Sequence, residues 1–177
     1  MKGVYLAAYK AYLPDYDIDY NDIKKTSEHI NLVCDMLDVD LSFYDFVLAS
    51  PPCNYYSRMN YRRDSSSYAL STKHLLPCIL EKLGQLSLPF IVENVRSPNI
   101  FKTVGIYDIC DKYNIFIYEY GRHTYFTNIM IDFHNIPQVY DFYCGGIKRK
   151  TVGIVYNQQG GYNVDNVFKF FLEVIHS

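Results

Sequence analysis

Cys53 and Glu93 are the two residues of this chain most able to do chemistry together. Cys53 follows the apolar run Phe46-Val47-Leu48-Ala49 across Ser50-Pro51-Pro52, and Glu93 follows Leu88-Pro89-Phe90-Ile91-Val92. Such runs read as buried strands, and the paired prolines break the first of them. Open α/β sheets carry their chemistry at the C-terminal mouths of strands. A thiol and a carboxyl at two such mouths predict a nucleophile and a proton donor facing one pocket. A Pro-Pro-Cys also suits a small buried cysteine with no chemistry. Ser57, Arg58, Arg62 and Arg63 follow the cysteine within one polar stretch, and Lys148-Arg149-Lys150 form a second basic cluster. Phosphate contact and solvated surface charge account for these patches equally well.

The elements that must position these residues alternate along the chain. Gly3–Ala8 reads as a strand and Asp15–Asp22 as an acidic turn region. Ile30–Cys34 reads as a short strand ending at Asp35, and Phe43–Ala49 as the buried strand before Pro51. Residues 54–67, with the run Ser65-Ser66-Ser67, read as a mobile loop. Leu70–Leu86 has apolar residues at helical spacing and predicts an amphipathic helix, with Pro77 near its first turns. Strand Leu88–Val92, helix Ile106–Tyr113, strands Ile115–Glu119 and Tyr125–Ile131, and helix Val164–Ile175 complete the reading. Alternating strands and helices predict a parallel-rich α/β sheet.

With 177 residues, 49% hydrophobic and 20% charged, the chain predicts one globular domain spanning 1–177. No apolar run reaches membrane-spanning length, and Met1-Lys2-Gly3-Val4-Tyr5-Leu6 lacks the features of a signal peptide. Five cysteines without paired spacing predict reduced thiols in a cytoplasmic setting, and no His/Cys spacing predicts a metal. The net charge of −2 gives a nucleic-acid partner no general support. The 19 tyrosines without a tryptophan fit an AT-rich genome such as that of a phage, a mobile element or a low-GC bacterium.

Ala49-Ser50-Pro51-Pro52-Cys53-Asn54-Tyr55-Tyr56-Ser57 and Phe90-Ile91-Val92-Glu93-Asn94-Val95 resemble the Pro-Cys and Glu-Asn-Val motifs of DNA cytosine-5 methyltransferases, in the family's order. The resemblance implies a Rossmann-like, S-adenosylmethionine-dependent fold, shortened at the N-terminus. It makes Cys53 the nucleophile, Glu93 the group that holds the cytosine edge, and Asn94 its structural neighbour. Tyr120-Gly121-Arg122-His123-Thr124 is similar to the family's late arginine motif, with Arg122 as its first arginine. Asp17 corresponds to the acid on the cofactor ribose, Ile18 to the side chain packing on adenine, and Asp35 to the aspartate facing the adenine amine. Pro51 and Asn163, the latter in Gly161-Tyr162-Asn163-Val164, join that cofactor set. The implied chemistry adds a thiolate to cytosine C6, with a carboxylic acid at N3 and the target base taken out of the duplex. DNA, touched by Ser57, Arg58, Arg62 and Arg63, is the implied partner.

The chain departs from that pattern in three places. Tyr5-Leu6-Ala7-Ala8-Tyr9-Lys10 has no glycine-rich turn where the family cradles its cofactor. The interval from Asp132 to Asn163 is too short for a target-recognition domain, and Thr124 stands where a second arginine is common. Two functions follow. One is a minimal methyltransferase, either of relaxed specificity or completed by a protein partner supplying target recognition or the missing cofactor loop. The other is a non-catalytic binding module for DNA, a nucleotide or a host protein. A hydrolase using Cys53 with His74 or His123 as base is a third reading.

Overall fold

Pairing of the two apolar runs sets the central sheet. The structure, a computed structural model, describes residues 17–25, 28–57, 60–119 and 123–130, and the backbone of 120, 138–142 and 148–152. Two compact units divide the chain, Asp19–Met130 and a second made of Met1–Ile18 with Ile131–Ser177.

In the first unit, β1 (Asn21–Asp22) pairs in parallel with β2 (Leu32–Val33). A 3₁₀ turn over Met36–Asp38 follows, capped by the Asp35 carboxylate, which accepts from the Leu37 amide at 2.9 Å. Strand β3 (Val47–Ala49) leads to helices α1 (Ser67–Thr72) and α2 (Leu75–Gly84), then to β4 (Phe90–Val95). Helices α3 (Pro98–Thr103) and α4 (Ile106–Tyr113) precede β5 (Phe116–Tyr120) and β6 (His123–Thr127). The order in the four-stranded sheet is β3-β4-β6-β5. In the second unit β7 (Gln138–Phe142) and β8 (Lys148–Val152) form an antiparallel pair.

The fold is mixed α/β, and its sheet is mixed rather than parallel-rich. β3 and β4 run parallel, while β4–β6 and β5–β6 run antiparallel. The cause is local: residues 121–122 alone join β5 to β6, too few for a parallel crossover. An antiparallel edge on a parallel sheet is a common variant.

Register assigns the faces. Val47, Ala49, Phe90, Val92 and Phe126 share one core with Leu76, Ile79, Leu80 and Leu83 of α2, Phe101 of α3, and Ile106 and Cys110 of α4. The α2 residues repeat at helical spacing, so one apolar stripe meets the sheet. On the other face of the sheet lie Ile91, Glu93 and Val95, beside His123, Tyr125 and Thr127.

Several boundaries differ from those predicted. The helix predicted over Leu70–Leu86 is two helices, broken at Lys73-His74. Pro77 explains the break, because its ring excludes a helical bond to the Lys73 carbonyl four residues back. That carbonyl accepts instead from the Tyr56 hydroxyl at 2.7 Å. β4 runs through Val95 rather than stopping at Val92, because its pairing with β6 continues to Val95–His123. The strand predicted over Phe43–Ala49 shortens to Val47–Ala49, with Leu41–Tyr44 in a turn closed by Tyr44 N to Leu41 O. Helix α3, with Pro98 in its first turn, was not predicted. The elements predicted at Gly3–Ala8 and Val164–Ile175 lie outside the described residues. Among the described residues, no helix is long and apolar enough to cross a membrane, and no three His, Cys, Asp or Glu side chains cluster to hold a metal.

Candidate active site

The parallel register Ala49–Val92 fixes what comes next on each strand. One residue further, Ser50 stands beside Glu93; one more, Pro51 stands beside Asn94. The side chains confirm both pairings. The Ser50 hydroxyl donates to Glu93 Oε2, and Asn94 Nδ2 donates to the Pro51 carbonyl at 3.2 Å. Asn94 is 1% exposed, and its Oδ1 accepts from the Val95 amide at 3.0 Å. Its carboxamide therefore ties the end of β3, and with it the approach to Cys53, to β4.

Past Pro51 the chain curls through turns over the described residues 54–57 and 60–66 of the segment read as a mobile loop. Ser57 N donates to Cys53 O at 2.8 Å, and Ser66 N donates to Arg62 O, also at 2.8 Å. Tyr55 and Tyr56 are buried, and the rings Tyr55, Tyr56, Phe101 and Phe126 succeed one another at 5.5, 5.7 and 5.5 Å. Ser97 Oγ donates to the Tyr56 carbonyl, so Tyr56 is held at both ends. Polar composition hid this, because two aromatic anchors outweigh a serine run.

Cys53 is half-buried at the mouth of β3. Burial, and secondarily the charge of Glu93, pushes its thiol above the usual value. The Glu93 carboxyl is also pushed up, because its burial outweighs the Ser50 hydrogen bond. A thiol and a carboxyl that both favour protonation form a proton-rich pair. That arrangement suits general-acid chemistry at a developing charge.

His123 Nε2 lies 3.3 Å from Glu93 Oε1. Register explains the reach, since His123 pairs with Val95 and so lies diagonal to Glu93 on the same face. Thr124, where the family motif has a second arginine, pairs with Asn94 and faces the other way. Ser50 and His123 were not assigned to Glu93 from sequence. The register between the two runs carries that signal once the strands are aligned.

The remaining predicted residues separate. Arg122, Arg58 and Asn163 lie outside the described residues. Asp17 is exposed and Ile18 half-buried, and both belong to the second unit, not to the unit that holds Asp35. Asp35 is half-buried, with one carboxylate oxygen committed to its cap. Asp19 rather than Asp17 is the engaged acid of Asp17-Ile18-Asp19. It accepts from Asn31 and, at 2.6 Å, from the Tyr44 hydroxyl, whose pKa that bond pushes up to about 12. Pro51 is buried and acts through its carbonyl. Ser57 is half-buried, and Arg62 is exposed. Arg63 donates from Nη2 to Ser57 O at 3.2 Å and from Nε to Asn60 O at 3.3 Å, which makes it a clip within the loop. His74 lines a shallow groove with Leu70, Lys73, Pro77, Thr103 and Val104.

No family model, no curated protein and no solved structure matches this chain. The geometry around Glu93 is therefore what bears on function.

Proposed function

We propose that the chain is a minimal DNA cytosine-5 methyltransferase of Rossmann-like, shortened fold, acting through Cys53 and Glu93. The observation that carries this reading is the register bringing Ser50-Pro51, which lead directly into Pro52-Cys53, alongside Glu93-Asn94 at the end of one parallel strand pair. A nucleophile and an acid at the ends of one strand pair suit addition to a pyrimidine. Cys53 sulfur bonds to C6 of an extrahelical cytosine, and the C5–C6 double bond opens toward N3. N3 takes a proton from Glu93, and the thiol proton replaces it on the carboxyl. C5 is thereby enamine-like. On breakdown, the C5 proton passes to water, the proton held by Glu93 goes to the sulfur as the S–C6 bond breaks, and the N3 proton takes its place on the carboxyl.

S-adenosylmethionine, when bound, supplies the electrophilic methyl group. Asp35 keeps one carboxylate oxygen outside its cap, enough to accept from an adenine amine. Arg62 with Ser57 would meet DNA phosphates, alongside a partner protein for target recognition. A cytoplasmic setting in a bacterium or an infected cell suits reduced thiols.

One observation favours a second reading, a binding module without turnover: the Cys53 thiol is pushed up, away from its nucleophilic form. Calorimetry with S-adenosylmethionine and S-adenosylhomocysteine separates the two. The enzyme binds both, and Asp35→Ala weakens both. Absence of heat with either ligand, at protein and ligand concentrations suited to about micromolar affinity, overturns the enzymatic reading.

A further inference from the structure

We propose that His123 is the positioning residue of this site, fixing the Glu93 carboxyl against Ser50 and sharing with it the proton that Glu93 passes to the bound base. The proton-passing half rests on the methyltransferase reading; the pairing itself does not.

Each oxygen of Glu93 has its own partner from a different strand. Ser50 reaches Oε2 from the end of β3, and His123 Nε2 reaches Oε1 from β6 at 3.3 Å. The His123 and Glu93 side chains are 13% and 21% exposed, so water competes weakly for either. A carboxyl held from both sides keeps one orientation, which shortens the search for a reacting edge. Ser50 can fix that orientation but carries no charge. Imidazole alone of the two gains and loses a proton near neutrality, so Glu93 and His123 can hold one proton between them on either side. An arginine could not do this, because it is charged at every working pH.

The ionisable groups around His123 among the described residues are few. On β4 they are Glu93 and, beyond Val95, Arg96, whose guanidinium pairs with Glu119 of β5 at 2.5 Å. Glu119 pairs in register with Thr124 and so belongs to the opposite face from His123. Tyr118 of β5 and Tyr125 of β6 share the face of His123, and the backbone of Tyr120 lies directly across from it. Cys53 approaches from the mouth of β3, near enough for the Glu93 charge to raise its thiol. Arg96 is thus matched by Glu119, and Glu93 is matched by His123.

The test uses the full chain labelled with ¹⁵N-histidine, followed by nuclear magnetic resonance from about pH 5 to 9, where imidazole titrates. The His123 signals, assigned through His123→Gln, change their pH response in Glu93→Gln and keep it in Cys53→Ser. Identical His123 curves in wild type and Glu93→Gln overturn the pairing. The second arm measures covalent trapping on DNA containing 5-fluorocytosine with S-adenosylmethionine. His123→Gln keeps a hydrogen-bond donor but no titrating group; it slows trapping about tenfold to a hundredfold at little change in half-saturating DNA, and flattens the pH profile. His123→Arg slows it likewise, because a permanent cation holds Glu93 as carboxylate. Glu93→Gln with His123→Gln is no slower than Glu93→Gln alone; a further tenfold loss would show that His123 acts elsewhere and overturn its role through Glu93. If wild type forms no adduct while the histidine coupling is present, the pairing stands and the proton-passing half falls with the methyltransferase reading.

Discussion

Replacing Asn94 by alanine should loosen the site and the fold together. Asn94 is 1% exposed and makes two hydrogen bonds, donating to the Pro51 carbonyl at 3.2 Å and accepting from the Val95 amide at 3.0 Å. Pro51 is buried, so its carbonyl meets no water when the donor is lost; Val95 is half-buried and recovers part of its loss. A buried polar group left without a partner costs about 1–3 kcal/mol, which puts Asn94→Ala at about 2–4 kcal/mol in total. Asn94→Asp is nearly isosteric but turns the donor into an oxygen facing a carbonyl, inside a buried site. At neutral pH it should cost more than alanine, because the introduced carboxylate is desolvated and opposed. Burial raises that carboxyl in the folded state, so its penalty shrinks as pH falls and the group regains a proton to donate. Urea unfolding followed by circular dichroism, from about pH 4.5 to 8, reads both effects as midpoint shifts at constant slope. A loss below about 0.5 kcal/mol for Asn94→Ala, or an Asn94→Asp penalty that grows on acidification, would refute the reasoning.

Three further outcomes follow from the same structure. Burial raises the Glu93 carboxyl above its ordinary 4.5, so the folded state binds that proton more tightly than the unfolded chain. The associated stability is complete below about that ordinary value and is lost as pH rises through the raised one, so the wild-type minus Glu93→Gln difference should decline over that window; a flat difference in urea titrations contradicts it. Gly84 ends α2 against Tyr113, and an added Cβ would lie 2.6, 2.7 and 2.9 Å from Cγ, Cβ and Cδ2 of that side chain. Gly84→Ala should therefore lose about 1–3 kcal/mol by overpacking despite alanine's helix preference, and a stabilised variant in thermal melts refutes this. Lys82 Nζ donates to Leu37 O at 2.7 Å and Val39 O at 2.5 Å, fastening the turn after Asp35 to α2. Lys82→Met keeps the aliphatic stem and should cost about 1–2 kcal/mol, with faster amide exchange at residues 36–39; unchanged exchange there counts against the clip.

Much of the positioning frame is legible in the sequence. The runs before Cys53 and Glu93 are strands that pair, and α4 falls over Ile106–Tyr113 as its periodicity implies. What could not be read locally depended on partners distant in sequence. The reversal of β6 follows from the short link at residues 121–122, which a count of alternating elements overlooks. The break at Lys73-His74 needed Pro77 weighed against a long apolar stripe, and the freed carbonyl found its partner in Tyr56. Cys53 and Glu93 were visible as residue types, but their protonation tendencies were not, because burial sets them. His123 was visible as one residue of an arginine motif and as a candidate base for Cys53, not as a partner of Glu93. The diagonal across β4 and β6 is what brings it to Glu93.

The most direct measurement is intact-mass spectrometry of the chain after incubation with S-adenosylmethionine and DNA carrying 5-fluorocytosine. Fluorine at C5 cannot leave as a proton, so a cysteine that has added to C6 stays attached. The expected result is a protein–DNA adduct mapped to Cys53, absent in Cys53→Ser and slowed on the order of 10²–10⁴-fold in Glu93→Gln. No adduct with wild type, or an adduct that survives Cys53→Ser, would contradict it.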